Sequence, residues 1–412
     1  MTKKSKPSKV STSAISQPLL SETLHISSSF SHNGDLFALV TLAVDKHRLR
    51  IFNVVAGRAT AEHTIQDGRV SSLIWSTLSL EGDSVPEETI SPTKKRKKRR
   101  VEDDEGQSRK NLETILCVGL SDGTIIFFSP SHSKVVRTLS HPSSISAIIS
   151  LTCSISGDPL LWSSSSDSSV YLWDVQKGLL LKSWKNDDRI SYTSLAVRPS
   201  PNEEGLDLLA AHHHIRLLTD ISISTSSKPT QIASFTGHAT SIKLLRWLKA
   251  PDASRRFFVT AAEGDRFVYM WDSESASRVN EKPIASFSLD SDVRTVEFDP
   301  DRQTFMVLSS SGKLSIVPIP ADFPVSQSSS EKIHTLLPRS TLTSGSKGKN
   351  DAPIIDLVPN PSSTGAMWVA RLVNGVEPVF DTVVSPCSIN PPPFLHFLPS
   401  DIWIEVEIMN EI

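Results

Sequence analysis

Apolar residues in this chain come in short runs separated by polar turns, with few long helical stripes. Arg48-Leu49-Arg50-Ile51-Phe52 alternates polar and apolar, the period-two signature of a strand with one buried face. Comparable runs fall at 70–75, 115–118, 145–150, 160–162, 170–173, 179–184, 194–197, 208–211, 215–218, 293–298, 305–308 and 314–317. Ser, Gly, Asn and Asp bound them, as in Ser31-His32-Asn33-Gly34-Asp35, so the pattern predicts many short strands joined by tight turns. The expected class is all-β.

One phrase recurs within this pattern. Ser121-Asp122-Gly123-Thr124-Ile125-Ile126-Phe127-Phe128 is echoed by Ser166-Asp167-Ser168-Ser169-Val170-Tyr171-Leu172-Trp173-Asp174 and by Gly264-Asp265-Arg266-Phe267-Val268-Tyr269-Met270-Trp271-Asp272. Looser copies end at Phe52, Leu218 and Val317. The ends step by about 45 residues, the period of WD40 propeller blades. Phe52 to Phe128 is too long a step, and removing a loop of roughly 30 residues restores the beat. The chain therefore reads as a seven-bladed WD40 β-propeller over 23–384, with a charged insertion at 80–112 inside blade two. Residues 354–358 and 367–370 supply the seventh blade, after a low-complexity loop at 326–350. Residues 1–22 read as a disordered basic tail, and 385–412 as an atypical C-terminal tail. Leu24 to Ile26 is a candidate strand for completing the last blade, since a closed ring leaves no open sheet edge.

In each repeat the Asp suits a tight turn and the terminal Trp suits the gap between blades, where its large apolar area counts most. Asp122, Asp167, Trp173, His238, Asp265 and Trp271 are accordingly structural blade residues. In blade five the pattern links Asp265, His238 and Trp271 into a hydrogen-bonded network, with Thr260 a further candidate. Trp75, Trp162 and Trp247 offer faces for base stacking, but their apolar neighbours favour core packing.

Composition adds local charge. The 412 residues carry a net charge of −2, so the chain as a whole is not built to coat nucleic acid. Lys94, Lys95, Arg96, Lys97, Lys98, Arg99 and Arg100 nonetheless form an unbroken basic block, followed by Glu102, Asp103, Asp104 and Glu105. Nuclear import and contact with RNA phosphates are its two active readings, against a plain solvated loop. The adjoining acids compete for the cations and weaken the RNA reading. Cys117, Cys153 and Cys387 are too few and too far apart for a disulfide framework or a zinc cluster. His212-His213-His214 falls where other repeats place the turn Asp, and consecutive side chains there diverge rather than converge on a metal. There is no nucleophile elbow, HExxH pair or P-loop, and Asp187-Asp188 and Asp299-Pro300-Asp301 read as turn acids. No apolar run approaches a membrane span. The expectation is a soluble, intracellular, non-catalytic protein with no cofactor, metal or small-molecule substrate.

The chain also resembles a known family. The stretches that carry the likeness are 30–38, the basic insertion in blade two, 120–127, 164–175, 182–185, Phe235-Thr236-Gly237-His238-Ala239-Thr240 and 354–380. In that order they are similar to the WD repeat-containing protein 43 family of UtpA (t-UTP) subunits of the small-subunit processome. The resemblance implies a nucleolar scaffold that supports pre-rRNA processing and small-subunit biogenesis, and that bears on rRNA transcription. The implied partners are other UtpA subunits, the 5′ external transcribed spacer of pre-rRNA and the U3 small nucleolar ribonucleoprotein. Family members continue into a helical domain that binds sister subunits, and no such helical run occurs in 385–412. The rival reading is a substrate receptor of a cullin-type ubiquitin ligase or a chromatin adaptor. Such receptors often carry Arg two residues after Trp-Asp, where this chain has Gln176 and Glu274.

Overall fold

The computed structural model describes residues 24–79, 112–142, 146–154, 160–200, 205–219, 221, 228–248, 257–273, 279–299, 303–319, 333–343, 352–363, 365–384 and 405–408. The tail at 1–22, the basic block and most of 385–412 lie outside these residues. The described residues are strands and turns, and no helix among them is long and apolar enough to cross a membrane.

The strands form seven sheets, each built on an antiparallel meander. Blade one is Leu24–Phe30, Leu36–Ala43, Lys46–Asn53 and Arg58–Thr64. Blade two is Val70–Ser79, Leu112–Leu120, Thr124–Ser129 and Lys134–Ser140. Blade three is Ile148–Cys153, Leu160–Ser165, Ser169–Asp174 and Leu179–Lys185. Blade four is Ser194–Pro199, Leu206–Ala211, His214–Thr219 and Thr230–Thr236. Blade five is Ile242–Trp247, Phe257–Ala262, Phe267–Asp272 and Ala285–Ser288. Blade six is Val293–Asp299, Thr304–Ser309, Leu314–Pro318 and Ser340–Thr343. Blade seven has three described strands, Ile354–Pro359, Ala366–Val373 and Glu377–Val384. The architecture is thus an all-β, seven-bladed propeller.

The second strands of blades three to six are buried along nearly their whole length, as in Leu160–Ser165 and Phe257–Ala262. A strand flanked on both faces by other sheets needs a continuous apolar or small-residue run rather than strict alternation. The outer strands of blades one to four are mostly exposed or half-buried. Apolar packing is divided into seven clusters, and each joins two adjacent blades. The seam between blades seven and one contains Phe30, Phe37, Phe52, Ile355 and Leu372, with Phe380 packed against them. That seam closes the ring by side-chain packing.

Two expectations need correction. Leu24–Phe30 is the innermost strand of blade one, paired with Leu36–Ala43, and does not complete the last blade. Its register aligns Phe30 with Phe37, which buries both rings in the seven–one seam. Within 326–350, Ser340–Thr343 is not loop but the outer strand of blade six, held by Leu314–Pro318 and burying Leu342. Low sequence complexity hid a single apolar residue that was enough to anchor a strand.

Because strands alternate in direction, the second-to-third turns and the links to the next blade open on one face. The first-to-second and third-to-fourth turns open on the other. The repeated Asp turns lie on the first face. Gly123 and Ser168 occupy the same turn position in blades two and three, with φ of +87° and +68°. Positive φ alone is therefore tolerated by Ser. A Cβ at Gly123, however, stands 2.9 Å from the Ser146 carbonyl oxygen, a backbone atom. Gly123→Ala is expected to cost about 1–3 kcal/mol, whereas Ser168→Gly stays within about 1 kcal/mol of wild type. Urea unfolding of both variants checks this, and equal effects would refute the steric account.

Candidate functional site

The blade-five network forms as its residue types allow. Trp271 Nε1 donates to Thr260 Oγ1 at 2.8 Å, and Thr260 Oγ1 lies 2.7 Å from His238 Nε2. Phe267 N donates to Asp265 Oδ1 at 3.1 Å, which shapes the turn. His238 Nδ1 faces Asp265 Oδ2 at 3.7 Å, an electrostatic contact too long for a hydrogen bond. Burial pulls the His238 pKa down and Asp265 opposes it. A neutral ring with its Nδ1 proton toward Asp265 fits these partners.

Blade three repeats the arrangement with a residue that the motif search did not single out. His141 Nε2 and Trp173 Nε1 each lie 3.0 Å from Ser163 Oγ. Ser169 N donates to Asp167 Oδ1 at 3.0 Å, and Tyr171 Oη donates to Oδ2 at 3.3 Å. Burial lowers the His141 pKa to about 4, against the raising effect of Asp167. His141 lacks the preceding Gly that marks His238. The available signal was spacing, because both His residues precede their Trp by nearly the same interval. Asp122 keeps only the turn bond, with Thr124 N donating to Oδ1 at 2.9 Å. Phe128 ends that repeat and has no ring N–H to offer a His–hydroxyl relay.

Each network joins its Trp, hydroxyl and His through side-chain hydrogen bonds, and the His141 and His238 Nδ1 atoms are left without a hydrogen-bond partner. Among the described residues no group of three or more His, Cys, Asp or Glu is placed to hold a metal. His212 and His213 cross edge-on with ring centroids 4.1 Å apart, and His212 N donates to His214 O at 3.1 Å, closing the turn through the backbone. Trp75 and Trp162 are buried, and Trp247 is partly so. Trp75 Nε1 donates to Ser29 O at 3.0 Å and Trp247 Nε1 to Ala196 O at 3.2 Å. These bonds stitch adjacent inner strands together, so the rings are not free platforms for bases.

The basic block lies outside the described residues, but its attachment is defined. Ser79 and Leu112 pair across neighbouring strands of blade two, so the insertion joins two strands of one sheet. It leaves on the face opposite the repeated Asp turns. Gln176 clamps this root: Ser79 N donates to its Oε1 at 3.0 Å and its Nε2 donates to Ser79 O at 2.6 Å. An amide side chain here reproduces the two bonds of a strand partner. Arg137 from the outer strand of blade two reaches the Val175 and Gln176 carbonyls at 3.1 and 2.8 Å and fixes the same turn.

Inner strands of three blades also place charges together. Arg246 of blade five donates to Val296 O at 3.1 Å and pairs with Glu297 of blade six. Arg246 keeps 45% of its side chain exposed, so water reaches it. Asp356 of blade seven accepts from Leu357 N at 2.9 Å. Loss of hydration raises the Asp356 pKa to about 7, opposed by that peptide N–H and by Arg246 and Arg294. An acid held neutral in the fold makes stability fall as pH rises from about 4, where the unfolded carboxyl ionises, to about 7. Asp356→Asn should flatten that decline, as read from urea midpoints across the window. Parallel curves for variant and wild type would mean the carboxylate stays well hydrated.

No family model matches the chain. Over 198 residues, 48% of this chain, it is 22% identical to U3 small nucleolar RNA-associated protein 5 of Saccharomyces cerevisiae. The match spans 26% of that relative, well under two thirds of its length. Among solved structures, a chain in "Crystal Structure of Mitotic Checkpoint Complex" superposes with a TM-score of 0.55 at 13% identity, covering 93% of this chain and 100% of that one. At that identity the likeness is one of fold. The chain is a seven-bladed β-propeller that is similar, over about half its length, to a yeast protein named for its association with U3 small nucleolar RNA.

Proposed function

We propose that this chain is a non-catalytic scaffold subunit of the nucleolar small-subunit processome, supporting pre-rRNA processing. The observation that carries the reading is the relationship to the yeast U3 small nucleolar RNA-associated protein. The charge pattern supports it: seven consecutive cations fall within the insertion of a near-neutral chain, suited to nuclear import and to phosphate contact. The partners are other UtpA subunits, the 5′ external transcribed spacer and the U3 ribonucleoprotein. The propeller supplies rigid turns and edges, while its polar networks are consumed in holding blades together. The ligase-receptor reading loses support at Gln176, whose side chain is committed to Ser79 and is not presented to an adaptor.

The test is purification of the tagged full chain from cells, with bound RNA sequenced and bound proteins identified. Enrichment of the 5′ external transcribed spacer, U3 RNA and UtpA subunits is expected. Recovery of a cullin adaptor or chromatin proteins without pre-rRNA would overturn the reading. Deleting 94–100 should reduce nuclear accumulation and make RNA association less salt-dependent, by about 0.7 in log–log slope for each lost single-strand phosphate contact.

A further inference from the structure

Strand addition at the outer rim follows one rule. The fifth strand of blade four, Val279–Glu281, comes from the connection between the third and fourth strands of blade five. The fifth strand of blade five, His334–Thr335, comes from the same connection in blade six. Glu405–Ile408, which follows the third strand of blade seven, pairs with the outer strand of blade six. Each time, chain that belongs to one blade is hydrogen-bonded to the blade before it. The link therefore crosses the seam between the two.

The link from blade six shows the chemistry. His334 N donates to Ile284 O at 3.0 Å, and Leu336 N donates to Ser286 O at 2.8 Å. Leu336 is buried in the apolar cluster that fills the seam between blades five and six. Opening that seam at the rim must break main-chain bonds and expose Leu336 together. The corresponding connections of blades one, two and three are the turns 54–57, 130–133 and 175–178. They close within their own blade: Gly57 N donates to Asn53 O at 2.9 Å, Ser133 N to Pro130 O at 3.3 Å and Gly178 N to Asp174 O at 2.8 Å. Here side chains bridge the seams. His47 Nδ1 accepts from Val70 N at 2.9 Å between blades one and two, and Ser72 Oγ accepts from Leu151 N at 3.1 Å between blades two and three. A side chain can swing away by changing rotamer, whereas a paired strand must leave as a unit.

We infer that the three rim links are straps that make blades four to seven one arc, which opens as a single cooperative unit and directs local opening of the ring to the seams joining blades one, two and three. The charged insertion is rooted in blade two, outside the strapped arc. The ring is thus a conformational device with a fixed part and a part that opens.

Hydrogen exchange of the full chain, followed by mass spectrometry at low denaturant, tests this. The outer strands of blades four, five and six are expected to open with one common denaturant dependence, and to exchange more slowly than those of blades one and two. His334→Pro deletes one strap donor. It should speed exchange in 285–288 and 340–343 together, by about fivefold or more. His334→Ala removes the same side chain and keeps the N–H, so it should leave both segments slow. Thr335 lies between the two donors and points its N–H to the other side of the strand, so Thr335→Pro should also be mild. Leu336→Ala empties the anchor without touching the backbone, and should speed the same two segments further. Retained far-ultraviolet circular dichroism shows that each variant folds. Faster exchange confined to 285–288 would overturn the inference, because the added strand would then only cover an edge. Equal effects of His334→Pro and His334→Ala, or outer strands of blades one and two as slow as those of the arc, would overturn it as well.

Discussion

Replacing Trp271 by alanine is expected to destabilise the ring by about 3–5 kcal/mol, the range for emptying a fully buried aromatic site. The indole is fully buried in the seam between blades four and five. It stacks on Phe258 at 6.0 Å and meets Phe235 edge-on at 5.7 Å. The seam has little freedom to collapse, because hydrogen-bonded sheets hold it from both sides. Gly237 already admits the ring so closely that a Cβ there would stand 3.0 Å from the indole. Removing Trp271 also takes away the N–H that bonds Thr260, which keeps His238 in register. Thr260→Val keeps the volume and deletes only the hydroxyl shared by Trp271 and His238. It should cost about 1–3 kcal/mol, the desolvation of polar groups left unpaired. Urea unfolding followed by circular dichroism measures both. A loss near zero for Thr260→Val would mean that the shared hydroxyl contributes geometry and no net stability.

The second large effect is expected at Arg198. Its Nε and Nη2 donate to Asp207 Oδ2 at 3.2 and 3.0 Å, directly across neighbouring strands of blade four. Asp207 is 1% exposed. The guanidinium carbon also lies 3.6 Å from the Trp247 ring centroid, across the seam to blade five. Arg198→Met preserves much of the apolar stem but leaves a buried carboxylate without its cation, a change worth about 3–5 kcal/mol. Arg198→Met combined with Asp207→Leu should recover most of that loss, because a well-packed apolar pair removes the desolvation penalty of both charges. The double-mutant cycle reads the coupling directly. If the double variant is as unstable as Arg198→Met, packing against Trp247 and not the ion pair is what Arg198 supplies.

These two sites differ in how far they could be read from sequence. Trp271 was visible because the repeat prints it, six positions after Asp265 and following Gly237-His238. Arg198 was not, since a cation in a strand carries no sign of which neighbour faces it. His141 sits between these cases: it performs the role of His238 but lacks the Gly that makes that role legible. Gln176 was noticed only for what it is not, an arginine, and its bonds to Ser79 emerge only when blades two and three are brought together. The strands at 279–281 and 334–335 were missed because two or three residues are too few to show a period, and their partners are supplied by another part of the chain.

The sequence by itself determined the all-β class, the seven blades, the place of the insertion inside blade two and the identity of the repeating Asp and Trp. All of these follow from local chemistry: alternation sets strands, Asp and Gly set turns, and a fixed period sets the blade. Tertiary structure alone decided the closure of the ring by the Phe30, Phe37 and Phe380 seam, the buried Arg198–Asp207 pair and the convergence of Arg246 and Asp356 from separate blades. It also decided which outer edges take a further strand from elsewhere in the chain. Those outcomes depend on contacts between residues far apart in the chain, and a periodic pattern specifies each blade without specifying what its outermost strand will meet.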